Sequence, residues 1–124
     1  MDHSKRQYDL EERLLEFAAE IIRLSEALPN SVAGRHLGNQ ILRSGTSPLG
    51  QHGEAQGAES RKDFIHKMGV AHKELRETMR WQRLIHRVPL IDPSESMLPL
   101  MKENEELIRI FHASIATAKR NLEK

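Results

Sequence analysis

Lys73, Arg76, Arg80, Arg83 and Arg87 recur at spacings of three and four residues, the repeat of one helical face. At 100° per residue they fall within about 80° of one another and span about 20 Å of helix. A ladder of cations with that reach could follow the phosphate backbone of a nucleic acid. Residues 61–88 hold eight basic and three acidic groups, whereas residues 1–28 hold four basic and seven acidic. Over the whole chain the asymmetry nearly cancels, to a formal net charge of +1 and a pI of about 8.2. A charge stripe on a helix is more often a solvated face paired with neighbouring acids. The five cations are therefore a candidate nucleic-acid-binding face that rests on charge pattern alone.

Other residues with chemical potential lack the spacing that chemistry needs. The seven histidines are scattered at 3, 36, 52, 66, 72, 86 and 112, and none forms His-Glu-x-x-His. The Glu-x-x-His pairs of a di-iron bundle are not supplied either. With no cysteine, thiolate metal sites, disulfides and cysteine nucleophiles are excluded. Ser44, Thr46 and Ser47 have no evident base partner in sequence. Glycines cluster at 34, 38, 45, 50, 53 and 57, but they match no phosphate-loop spacing and follow no strand pattern. Close helix approach is the better reason for them. The expectation is a protein with no catalytic residue, metal or cofactor, and hence no enzyme.

Four charged residues, Arg43, Glu54, Glu74 and Glu77, sit where helices are expected to meet. Any that face the core must pair, because an unpaired buried charge is expensive. They are expected to form inter-helix ion pairs that fix register. Beside the basic face, Val70, Trp81, Leu84 and Val88 form a second apolar strip. Either it packs under a loop or it is a subunit contact, where tryptophan is enriched.

These side chains need helices to position them. Leu10, Leu14, Phe17, Ile21, Leu24 and Leu28 follow the 4-3 spacing of a bundle seam, widened by Leu15 and Ile22. Glu11, Glu12, Glu16 and Glu20 lie outside it, and Asp9 with the glutamates suits the positive helix end. Pro29 ends this helix. A second helix, capped by Asn30 or Ser31, runs from about 30 to 59 and must either break or kink at Pro48, with the kink favoured by small residues continuing beyond it. Ser60 with Asp63 resembles a capping box that starts a third helix, to about residue 87. Its inner face is Phe64, Met68, Ala71, Leu75, Thr78 and Gln82. Asp92-Pro93-Ser94-Glu95 reads as the start of a fourth, in which Pro99 either bends the helix early or marks its true start. Lys119, Arg120 and Lys124 suit its C-terminal end.

The predicted helices, about 9–28, 30–59, 61–87 and 93–122, make one domain over 1–124, an all-α antiparallel up-down four-helix bundle with helix 2 kinked near Pro48. No apolar run approaches the roughly 20 residues of a membrane span, and the charged N-terminus has no signal-peptide apolar region. The cytoplasm is the expected compartment.

One combination of residues is more specific than any pattern above. Leu42-Arg43-Ser44-Gly45-Thr46-Ser47, Glu54-Ala55-Gln56, and Ser60 with Asp63-Phe64-Ile65-His66-Lys67-Met68 are followed by Glu74, Glu77, Trp81 and Glu106-Leu107-Ile108 with Ile110-Phe111. In these the chain resembles the bacterial four-helix-bundle family related to proteins encoded within intervening sequences of 23S rRNA genes, over about residues 10 to 120. The resemblance implies a four-helix bundle that assembles as a homopentamer. Its genomic association points to RNA or a ribonucleoprotein as partner, with a purely structural or protein–protein adaptor as the alternative.

Overall fold

The computed structural model describes residues 3–123, with side chains from residue 9 onward. Four long helices account for most of it: α1 (His3–Ala27), α2 (Val32–Gln56), α3 (Arg61–Arg87) and α4 (Leu98–Glu123). A 3-10 turn, Ser94–Met97, leads into the last. The architecture is an all-α four-helix bundle, with no strand among the described residues. No helix among them is long and apolar enough to cross a membrane.

The core forms where the apolar stripes converge. Leu14, Phe17 and Ile21 of α1, Leu37 and Ile41 of α2, Met68, Ala71, Leu75 and Ile85 of α3, and Leu107 and Phe111 of α4 are all buried. Leu15 and Ile22, expected to widen the α1 stripe, are instead 50% and 42% exposed. They lie on the far side of Ala18, beyond the reach of the seam.

Local signals set most helix ends. The Ser31 hydroxyl accepts from the Gly34 amide at 3.0 Å and caps α2. The Ser60 hydroxyl accepts from the Asp63 amide at 3.0 Å, while the Asp63 carboxylate returns to the Glu59 amide at 3.3 Å. The Ser60 hydroxyl thus satisfies a donor that the first helical turn leaves free, and the Asp63 carboxylate holds the amide just ahead of the cap.

Two ends differ from expectation. α1 begins at His3, so Asp9 lies in its second turn, away from the positive end of the dipole. Asp92 does not cap α4. The chain first makes the 3-10 turn, with the Ser96 amide and hydroxyl both donating to the Pro93 carbonyl at 3.1 and 2.7 Å. That detour lets Met97 bury and Leu90 and Ile91 pack on the core. α4 then starts with Pro99 in its first turn, where a missing backbone donor costs nothing. Lys124 lies outside the described residues.

α2 does not break at Pro48. The helix continues from Val32 to Gln56 with Pro48 buried inside it, so tertiary packing compensates the lost backbone hydrogen bond. Close approach explains only some of the glycines. A Cβ on Gly34 would stand 1.9 Å from the Pro29 carbonyl oxygen, and one on Gly45 would stand 2.7 Å from Ile21 side-chain carbons. Around Gly50 and Gly53, by contrast, there is open space.

Candidate nucleic-acid interface

α3 presents its basic face to solvent. Lys73, Arg76, Arg80, Arg83 and Arg87 are all exposed, and among the described residues none of them forms an ion pair. The orientation follows from burial on the other side of the helix, where Met68, Ala71, Leu75, Thr78, Gln82 and Ile85 enter the core. A stripe of unneutralised cations attracts polyanions and repels other cations.

The flanking apolar strip divides along its length. Val70 and Trp81 are half-buried, whereas Leu84 and Val88 are 42% and 53% exposed. Trp81 is held in place: its indole N–H donates to the Glu77 carboxylate at 3.0 Å. The same carboxylate accepts from the Arg43 guanidinium of α2. At the very next residue on each helix, the hydroxyls of Ser44 and Thr78 meet at 2.9 Å in a fully buried position. Thr78 also reaches the Glu74 carbonyl at 2.8 Å. A carbonyl can only accept, so the single Thr78 proton goes there and Ser44 donates to Thr78.

Of the four charged residues expected between helices, Arg43 and Glu77 therefore come together. Glu74 is half-buried, with its Oε1 buried and unpartnered, and Glu54 is exposed and joins no ion pair among the described residues. Arg43, Ser44, Glu77 and Trp81, prominent in the sequence pattern, thus build the polar seam between α2 and α3. Such a seam fixes helix register, because any slip leaves buried polar groups unsatisfied.

Other contacts were hidden from the sequence. Arg13 of α1 donates to Glu103 at 3.0 and 2.7 Å and to Glu106 at 2.9 Å, clamping two carboxylates of α4. The carboxamides of Gln82 and Asn104, both fully buried, hydrogen-bond at 3.0 Å across α3 and α4. His72 and His112 meet across the same pair of helices, with ring centroids 6.0 Å apart. Nothing in the spacing of the histidines signals this pair, since the two lie on different helices. No group of three or more metal-ligating side chains is assembled among the described residues.

Where α1 and α4 diverge, a cleft of about 1070 Å³ opens among Leu10, His52, Phe64, Met68, Ile110 and Leu122. His52 lies in its wall at 2% exposure. Burial holds the imidazole below its ordinary pKa, against a smaller opposing pull from Glu11.

Comparison with known proteins matches residues 6–113 to the 23S rRNA-intervening sequence protein family. Among solved structures, the chain is similar to a protein of unknown function from the S23 ribosomal protein family of Bacteroides thetaiotaomicron VPI-5482. The two are 34% identical over 89% of this chain and 97% of the other, with a TM-score of 0.81. A search of curated proteins gives no match. With its four helices, and with a family match that spans most of its length, the chain belongs to the 23S rRNA-intervening sequence protein family.

Proposed function

We propose that this chain is a non-enzymatic, self-assembling helical bundle of the cytoplasm that binds RNA or a ribonucleoprotein through the basic face of α3. One observation carries the reading: Lys73, Arg76, Arg80, Arg83 and Arg87 stand exposed on a single face without a carboxylate partner among the described residues. Unpaired cations at helical spacing suit the regular charge of a phosphate backbone, whose bound counterions they displace. The family resemblance adds a homopentamer, which would repeat the stripe around a ring and multiply weak contacts.

A second reading draws on the apolar flank. Leu84 and Val88 are substantially exposed beside the basic face, and Glu11, Glu12 and Glu16 are exposed on α1. In that case the stripe meets the acidic face of another copy, and the protein is an adaptor with no nucleic-acid partner.

One variant separates the two. Arg76→Glu/Arg80→Glu/Arg83→Glu is titrated with 23S rRNA fragments over a range of salt, with its mass followed by light scattering. RNA binding predicts that the wild-type protein binds at low salt and that the variant loses affinity by tenfold or more. The slope of log affinity against log salt should also flatten by roughly two to three. Dissociation of the oligomer with no RNA bound by either protein selects the adaptor.

A further inference from the structure

The cationic surface does not stop at the edge of α3. His72, half-buried on α3, faces the exposed His112 of α4 with ring planes inclined by 41°. Neither ring is spent on a hydrogen bond among the described residues. On α3 the histidine is followed by Lys73 and, one turn on, Arg76. On α4, Arg109 stands one turn before His112, with Glu105 and Lys119 seven residues to either side. At 100° per residue, Glu105, Arg109, His112 and Lys119 share a face within about 80°, and all four are exposed. Because His112 meets α3, that face of α4 borders the basic stripe. The α3–α4 groove therefore joins Lys73, Arg76 and Arg80 to Arg109 and Lys119, with Glu105 as the acid on this face of α4.

We infer that the nucleic-acid surface is this two-helix groove, with His72 and His112 as a paired contact that grips the RNA phosphate backbone more tightly as His72 protonates. The inference rests on the reading of α3 as an RNA-binding face and names the atoms at its centre. Two imidazoles at this separation are close enough to donate to one phosphate group, yet too far apart to satisfy each other. In the free protein His72 is held below its ordinary pKa, first by burial and then by the charges of Arg76 and His112. Lys73 on α3 and Arg109 and Glu105 on α4 are further exposed charged groups on the two faces that meet here. A phosphate between the rings reverses that balance, so binding takes up protons and affinity rises as pH falls through the histidine range.

The test is fluorescence anisotropy of a labelled 23S rRNA fragment at constant ionic strength, at pH 7.5 and 5.5. Wild-type protein is expected to bind on the order of tenfold tighter at the lower pH, the change that one unit of pKa shift produces. His72→Gln/His112→Gln should lose most of the gain at pH 5.5, so that its affinities at the two pH values converge. The exposed His112→Gln change alone should remove part of the gain without touching the core. Arg109→Glu, on the exposed face of α4, should weaken binding several-fold at both pH values with unchanged helical circular dichroism. A wild-type affinity indifferent to pH, a full gain retained by the double variant, or an Arg109→Glu protein that binds normally each overturns the groove while leaving the α3 stripe standing. Absence of wild-type binding at low salt and at either pH removes the nucleic-acid reading and this inference with it.

Discussion

His52 is enclosed by its own helix and by α4, its ring edge set against Phe111 with centroids 6.2 Å apart. The amide nitrogen of Gln56 lies 3.2 Å from Nε2, so Nε2 accepts and the proton of the neutral ring sits on Nδ1. That Nδ1 has no partner among the described residues, and burial disfavours the charged form. With a folded pKa below the unfolded value, the unfolded chain binds more protons as pH drops below about 6.5. The stability His52 allows is therefore fully present above that pH and is lost as pH falls toward the folded value. Half-buried His72, also shifted down, acts in the same direction. The urea midpoint should hold between pH 8 and 7 and decline toward pH 5, with a shallower decline in His52→Gln. Equal declines in the two proteins would show that the buried imidazole is not the group responsible.

At the scale of the element, α2 carries opposite glycine effects within two turns. Gly45→Ala forces a methyl into Ile21 at 2.7 Å and is expected to cost about 1–3 kcal/mol, as overpacked cores do. A Cβ on Gly50 or Gly53 would meet nothing among the described residues, and both are exposed, so replacing either with alanine should stabilise the protein by about 1 kcal/mol through helix propensity alone. Thermal or urea unfolding of the three single variants reads both signs, and a destabilised Gly50→Ala would mean that a partner covers that face. The same helix shows why local signals succeed or fail. Ser31 and Ser60 were legible as caps because each acts on an amide three residues away. Continuity through Pro48 was favoured by the small residues that recur beyond it, but no local signal fixed it, because a proline inside a helix removes a backbone hydrogen bond.

For the molecule as a whole, α1 and α4 are the neighbouring helices that touch least, and the Arg13 clamp on Glu103 and Glu106 joins them beside the cleft. All three side chains are partly exposed, so the clamp contributes about 1 kcal/mol or less. Its loss should be felt locally. In Arg13→Ala, amide hydrogen exchange is expected to quicken around Arg13 in α1 and in the first half of α4, which carries Glu103 and Glu106, while the Ser44–Thr78 seam keeps its protection. Uniform acceleration through all four helices would instead make the clamp part of the global fold.

Residue order alone determined the helices and the side from which each is buried, because helical periodicity and capping act within a few residues. It likewise placed Lys73, Arg76, Arg80, Arg83 and Arg87 on one face, a matter of angle along a single helix. Which partners meet across helices was decided only by tertiary structure. Arg43 finds Glu77 while Glu54 finds none among the described residues, Arg13 reaches two carboxylates some ninety residues away, and His112 meets His72. Such pairings depend on the relative axial shift and rotation of neighbouring helices. Those are set by how the whole core packs, and no short window of sequence contains them.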